Sequence, residues 1–459
     1  MTAAAASSAA YDLAIIGTGS GNSVITPDFD DWQIAVIEES TFGGTCINVG
    51  CIPTKMYVYP ADLATYAHEG GRLGVDAHVD AVHWRDIRDR IFGRIDPISV
   101  DGRDYRRNGP NTTLYETHAE FVDEHTLALG TGDTISADRI VIAAGSRALV
   151  PDVVRDAGVP YHTSDTIMRI DDLPPRIAIL GGGYIAAEFA HIFSAFGVQV
   201  RLVLRGDRLT KHLDADIARA FTHLLRARLD VRLGYHLAHL HTENESVCMT
   251  LDDGSSLETD LLLVATGRVS NADRLNLGAA GIETHDDGRV AVDKHQRTSV
   301  PHIWALGDVS SYYQLKHVAN HEARVVAHNL AHPDDLIASD HRFVPAATFT
   351  HPQLATVGMT EAQATKHGRN YVTVIQEYGD TAYGWAMEDT TGLCKLIADA
   401  DTGLLLGAHL MGPQASILIQ PLIQAMSFGL SVRDMAHGQY WIHPALTEVV
   451  ENALLKLDV

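Results

Sequence analysis

Apolar runs that end in glycine clusters divide this chain into recognisable pieces. Tyr11–Ile16 (YDLAII) is one such run, and Gln33–Ile37, ending in Glu38, is a second. Short apolar runs bounded by turn residues predict parallel strands buried on both faces. The design recurs at Arg176–Leu180, which leads into Gly181-Gly182-Gly183, a helical stretch through Phe196 and a strand Gln199–Leu204. Two strand–glycine turn–helix–strand units predict two dinucleotide-binding folds in an α/β chain. Strand-like runs also end in small residues at Ile140–Gly145 and Leu261–Gly267, the second followed by Arg268. The Asp171–Pro175 segment reads as the loop that opens the second unit. From Val344 the pattern changes. Leu404–Met411 predicts a strand and Ala415–Met426 an apolar helix, with two-sided apolar faces that suit a subunit interface.

Length and charge narrow the function classes. At roughly 150 residues per domain, 459 residues suggest about three domains. Thirty-five Lys and Arg against 58 Asp and Glu give a net charge of −23, which disfavours nucleic acid and anionic membrane surfaces as partners. No apolar run approaches the roughly 18 residues of a membrane-spanning helix. The opening MTAAAASSAA has neither a basic residue nor a long apolar stretch, so residues 1–10 are expected to be a disordered tail and not a secretory signal. Four cysteines in a chain this long cannot form a secreted disulfide scaffold, and a cytoplasmic protein is expected.

The candidate chemistry sits at these turns. Gly17, Gly19 and Gly21 follow the first strand, and Glu38 lies where an acid would accept hydrogen bonds from a ribose hydroxyl. Asn22 replaces the usual third glycine, and an ordinary tight turn is the alternative. A following helix N-terminus would favour a pyrophosphate. Gly181, Gly183 and Ala186 complete the second fingerprint. Arg205 stands at the end of the next strand with Lys211 beyond it, which favours a 2′-phosphate and hence NADPH over NADH; Asp207 as a ribose acceptor is the alternative. The segment Gly43-Gly44-Thr45-Cys46-Ile47-Asn48-Val49-Gly50-Cys51-Ile52-Pro53 carries two cysteines five apart. A bend at Gly50 would bring their sulfurs together, and Pro53 suits the first turn of a helix with Cys51 at its positive end. That environment favours the thiolate. A structural zinc site lacks a second cysteine pair, whereas a structural disulfide remains an alternative. Cys248 and Cys394 read as buried packing residues. In Trp441-Ile442-His443-Pro444-Ala445-Leu446-Thr447-Glu448, Glu448 could loop back to hold His443, although a surface histidine satisfies the same spacing. Gly307-Asp308 ends another strand-like run, as a flavin contact or as a solvated turn.

Together these pieces resemble the pyridine nucleotide–disulfide oxidoreductases, from Tyr11 to about Leu454. GGTCINVGCIP is similar to the family's redox-disulfide signature, GGGYIAAEFA to its NADPH turn, ALGD to its second FAD contact and HPALTE to its catalytic pair. GTGSGNS, FGRIDPI, YHTSDTIMRI, KHVANHEARVV, YGWAMEDT and GQYWIHPAL resemble the branch that reduces the disulfide of mycothiol, a sugar–inositol thiol. The resemblance implies two Rossmann-like domains, for FAD at 11–150 and NADPH at 151–270. A central segment at 271–342 would complete the FAD site, and an α+β dimerisation domain would cover 343–459. It implies FAD and NADPH as cofactors, a small-molecule disulfide as substrate and no metal. Cys51 would lie against the flavin and Cys46 would attack the substrate. Gly44, Thr45, Gly145, Gly267, Gly307 and Asp308 would line the cofactors, and Lys55 with Glu188 would pair beside the flavin. His443, held by Glu448, would serve the partner subunit's sulfur pair in a homodimer. Within the family the competing reading is dihydrolipoamide dehydrogenase, which needs an acid where Arg205 stands. Outside it, the alternative is a non-catalytic flavin-binding structural protein. Between the first turn and Glu38 there is no Arg or Lys but three acids, Asp28, Asp30 and Asp31, which would repel the carboxylates of glutathione unless distant cations such as Arg85 or Arg88 fold in.

Overall fold

Leu13–Ile16 and Ile34–Ile37 are buried at every position, so the strands they form must be covered on both faces. The computed structural model describes residues 9–459. The expected tail thus lies outside the described residues except for its last two. Ala9 and Ala10 already belong to strand β1 (Ala9–Ile16) and pair with Ile135 and Ser136. Small side chains do not prevent ladder pairing where the neighbouring strand extends beside them.

The described chain divides into two compact units. One comprises the residues through Thr54, Asp86–Leu149 and Arg268–His341; the other comprises Lys55–Arg85, Val150–Gly267 and Arg342–Val459. In the first, β2 (Ile34–Ile37) is followed by α1 (Gly44–Asn48), the opening of α2 (Cys51–Glu69) through Thr54, and α3 (Trp84–Arg107) from Asp86 onwards. Then come β3 (Thr112–Tyr115), β4 (Ala119–Phe121), β5 (Thr126–Leu129) and β6 (Thr134–Ile142). The sheet order is β3-β2-β1-β6-β5-β4, parallel from β3 to β6, with Ile303–Ala305 also parallel to β6. Ala14, Ile16, Ala35, Ile37, Ile140 and Ile142 face one core. Leu13, Ile15, Ile34 and Val36 face another, closed by Ala323, Val326 and Leu330 of the helix Lys316–Ala331. The helix expected after the first glycine turn is absent. Two short 3-10 turns, Gly21–Val24 and Pro27–Phe29, take its place, because Gly21, Asn22, Ser23 and Pro27 are poor helix formers.

The second unit holds a parallel sheet ordered Asp230–Leu233, Gln199–Leu204, Arg176–Leu180, Leu261–Val264. It also holds an antiparallel three-stranded sheet (Leu237–Glu243, Ser246–Leu251, Ser256–Thr259) and an antiparallel five-stranded sheet containing Leu393–Asp399 and Leu405–Gly412. The apolar helix expected over Ala415–Met426 is two pieces, Ala415–Leu418 and Gln420–Phe428. Pro421 cannot donate the backbone bond that would have joined them. Cys394 is buried, and burial pushes its thiol up to about 12. Cys248 is half-exposed on the three-stranded sheet, not a core residue, because its strand turns one face to solvent. Among the described residues no helix is long and apolar enough to cross a membrane.

Candidate active site

The first glycine turn is built by close backbone approach. At Gly17 φ is +102° and a Cβ would lie 2.3 Å from the Ala143 carbonyl oxygen, so no other residue fits. Glu38, buried at the end of β2, accepts from the Thr18 backbone N–H (2.9 Å) and hydroxyl (2.6 Å) through one oxygen. Its other oxygen accepts from the Ser40 N–H (3.0 Å) and hydroxyl (2.9 Å). The acid expected to meet a ribose therefore also ties the turn to the strand end. Gly44 docks on this turn, since a Cβ there would stand 2.7 Å from the Gly19 Cα. The Thr18 hydroxyl in turn accepts from the Gly43 N–H at 2.9 Å.

The redox-like segment thereby starts from a fixed point. Thr45 and Cys46 lie in α1, which ends at Asn48; the Asn48 amide donates to the Phe42 carbonyl at 2.9 Å. The chain breaks at Val49 and Gly50, where a Cβ on Gly50 would be 2.8 Å from the Thr45 oxygen. It restarts as the 19-residue α2 with Cys51 first and Pro53 in its opening turn, as the spacing predicts. Cys46 is half-buried and Cys51 exposed. Elsewhere in this unit Gly145 and Gly307 adopt φ of +68° and +74°. Asp308 accepts from the Ser146 hydroxyl at 2.7 Å, and Arg268 donates to the same hydroxyl at 2.8 Å.

The second unit carries the other expected residues. Gly181 has φ +128° and would clash with the Ala265 carbonyl at 2.1 Å if it had a Cβ. Gly183 caps the 12-residue helix Tyr184–Ala195 and faces open space, and Ala186 is fully buried beneath it. Gly267 sits at φ +136°. Arg205 and Lys211 are both exposed, and neither pairs with an acid among the described residues, whereas Asp207 is held by Arg208 at 2.9 Å. Lys55 is brought to Glu188: its ammonium lies 2.8 and 2.7 Å from the two carboxylate oxygens and 4.9 Å from the Phe349 ring centre. The Phe349 N–H also donates to Glu188, at 2.9 Å. His443 Nδ1 is 2.5 Å from Glu448 Oε1; the imidazole is mostly exposed and the acid mostly buried.

Three residues around the first turn escaped the sequence reading. Lys316 donates to the Ser20 hydroxyl at 2.8 Å, and that hydroxyl donates to Asn320 at 3.1 Å. Arg106, from the end of α3, donates to the Asn22 side-chain oxygen at 2.7 Å and to its backbone carbonyl at 3.2 Å. Burial pulls its guanidinium below the usual arginine range. The distant cations that reach the turn are therefore Arg106 and Lys316. Arg85 pairs with Asp172 and Arg88 with Asp89. The only sequence signal for Lys316 and Asn320 was their place in KHVANHEARVV.

A family model described as pyridine nucleotide-disulphide oxidoreductase matches residues 11–323, and the dimerisation domain of the same group matches 344–454. The chain belongs to this family of flavoprotein-type disulfide oxidoreductases, with two dinucleotide-binding folds and an α+β dimerisation domain. It is 55% identical over 456 residues to mycothione reductase of Mycobacterium tuberculosis, covering 97% of this chain and 99% of that one. Dihydrolipoyl dehydrogenase of Haloferax volcanii is 33% identical, with 96% of each chain covered. Among solved structures, the HOCl-induced flavoprotein disulfide reductase RclA from Escherichia coli matches with a TM-score of 0.85 at 28% identity, over 98% of this chain and 100% of that one.

Proposed function

We propose that the protein reduces mycothiol disulfide with NADPH, through FAD and a redox-active Cys46–Cys51 pair, as a cytoplasmic homodimer. The observation that carries this reading is the 55% identity to mycothione reductase over nearly the full length of both chains. The residues fit the two nucleotides. Gly17, Gly19 and Gly44 form a side-chain-free cradle beside Glu38, and Gly183 leaves open space at a helix N-terminus where a pyrophosphate is favoured. Thr45, Gly145, Gly307 and Asp308 would complete the FAD site, with Lys55 and Glu188 beside its reactive edge. Gly181, Ala186, Gly267, Arg205 and Lys211 would hold NADPH. The inferred domains are 11–150 for FAD, 151–270 for NADPH, 271–342 as the central segment and 343–459 for dimerisation. Pairing of Ile303–Ala305 with β6 supports assigning the central segment to the FAD fold.

FAD, when bound, supplies a relay that carries the two electrons of the NADPH hydride to the sulfur pair. In the reduced pair, Cys51 at the start of α2 is held as thiolate by the helix terminus. The Cys46 thiolate attacks one sulfur of the substrate disulfide and forms a mixed disulfide, expelling the first thiol as its anion. His443 of the partner subunit protonates that anion, with Glu448 fixing the imidazole. Cys51 then attacks the Cys46 sulfur, closing the protein disulfide and releasing the second thiolate, which takes a proton from solvent. One hydride and one proton thus yield two thiols and NADP⁺.

The test is a panel of mycothione, glutathione disulfide and lipoamide, each with NADPH and with NADH. Mycothione with NADPH should give the highest kcat/KM. Preferred turnover of lipoamide with a nicotinamide dinucleotide lacking the 2′-phosphate would replace this reading with the dihydrolipoyl dehydrogenase type.

A further inference from the structure

A second cluster of soft and borderline ligands lies far along the chain from the redox segment. In strand Leu237–Glu243, His241 and Glu243 are two residues apart and project to the same face. Cys248, in strand Ser246–Leu251, is directly opposite His241 in the antiparallel ladder, and Glu243 pairs with Ser246. Asn244 and Glu245, both at positive φ (47° and 67°), make the two-residue turn that locks this register. One ligand atom from each of His241, Glu243 and Cys248 lies within 4.8 Å of the others. The Cys248 sulfur is 4.0 Å from a Glu243 oxygen, and that carboxylate is 3.8 Å from the His241 ring nitrogen.

We propose that this hairpin binds one zinc-like divalent cation through His241, Glu243 and Cys248, with water completing the coordination. The donor set is one imidazole nitrogen, one carboxylate oxygen and one sulfur, a combination that suits a borderline cation such as zinc more than magnesium or calcium. A tetrahedron whose centre is about 2.0–2.3 Å from each donor has edges of roughly 3.3–3.8 Å, so the 3.8 and 4.0 Å separations close around a cation by small side-chain rotations of exposed groups. Charge also balances, since a carboxylate and a thiolate neutralise a dication, and the proton displaced from the thiol passes to solvent. The nearby Glu258, opposite Cys248 on the third strand, is occupied by Arg176 at 3.0 Å and is not counted among the ligands. Binding would staple the two strands at their turn and mask the thiol. Neither consequence depends on the reductase reading.

The test is alkylation of the oxidised holoenzyme, with Cys248 followed by peptide mass mapping at increasing zinc chloride. Zinc at about ten or more times its dissociation constant should slow labelling of Cys248 at least about tenfold, because the free thiol fraction falls as 1/(1 + c/Kd), where c is the zinc concentration. His241→Ala should abolish that protection. Equilibrium dialysis should show one more zinc per chain in the parent than in Cys248→Ser, with disulfide reduction the same in both. Equal labelling with and without zinc, or protection that survives His241→Ala, overturns the site.

Discussion

His443 and Glu448 show how a single contact selects a proton's position. An ionised glutamate only accepts, so the 2.5 Å contact to Nδ1 places a proton on that nitrogen and leaves Nε2 to exchange protons with a ligand. Glu448 opens the helix Glu448–Leu455, so backbone geometry fixes the acid before the histidine reaches it. His443→Gln should lower steady-state disulfide reduction by about 10²–10⁴-fold while reduction of the flavin by NADPH stays near normal. Rapid-mixing traces for the two half-reactions check this, and equal losses in both would contradict a proton-transfer role. Arg205 poses a different single-residue question. It is exposed at the end of Gln199–Leu204 and pairs with no acid among the described residues, so its charge is available to a 2′-phosphate. Such a contact is worth about 1.5–3 kcal/mol, or one to two decades in efficiency. Arg205→Glu should shift the NADPH-to-NADH ratio of kcat/KM by at least that factor, and an unchanged ratio rejects the assignment.

At the level of elements, the break between α1 and α2 puts the two cysteines in different electrostatic settings. Cys51 begins a 19-residue helix, whereas Cys46 sits inside a five-residue one, so the larger dipole acts on Cys51. Cys46→Ser should lose turnover but keep the long-wavelength thiolate–flavin absorption, and Cys51→Ser should lose both. Absorption spectra of the two reduced variants decide between this assignment and its reverse. The break was legible in advance because Gly50 and Pro53 carry backbone constraints wherever they stand. The strands were equally legible: Arg176–Leu180 and Gln199–Leu204 begin and end where their apolar runs do. Two helices depart from their apolar or motif pattern for one reason, that local backbone chemistry outweighs it. Pro421 splits one, and Gly21, Asn22 and Ser23 shorten the other to a 3-10 turn. Arg106 and Asn22 are 84 residues apart, and no local pattern reports a contact of that span.

Across the second unit, one buried cation links segments distant in the chain. Lys395, on the strand Leu393–Asp399, is almost wholly buried and lies 2.9 Å from Asp214, 2.5 Å from Asp216 and 2.5 Å from Glu361. Asp214 is the N-cap of the helix Ala215–Arg228 and also accepts from the Glu361 N–H at 3.0 Å. One ammonium thus ties a helix of the nucleotide-turn region to the five-stranded sheet. Burial pushes Lys395 down, but hydrogen bonds from its ammonium to Asp216, Glu361 and Asp214 outweigh it, so its value is raised overall. The ammonium's hydrogen bond chiefly lowers Asp216. At Asp214 burial opposes, yet the Glu361 N–H and Lys395 bring it below the usual carboxylate range. The signs then fix the pH window. The lowered carboxylates contribute stability above their unfolded values near pH 4, and this is lost as pH falls through their folded values. The raised lysine contributes fully below about pH 10 and loses that contribution as pH rises through its folded value. Lys395→Met should therefore cost most at neutral pH, about 3 kcal/mol, because it leaves three acids facing one another with the cation gone. In a unit of this size that corresponds to a fall of roughly 5–10 °C in the thermal midpoint. Below about pH 4 the acids protonate in the variant as well, and the gap to the parent should narrow. Calorimetry of both holoproteins at neutral pH and in mild acid measures the two gaps, and a gap that widens in acid would show that the cluster does not hold the unit together through its charges.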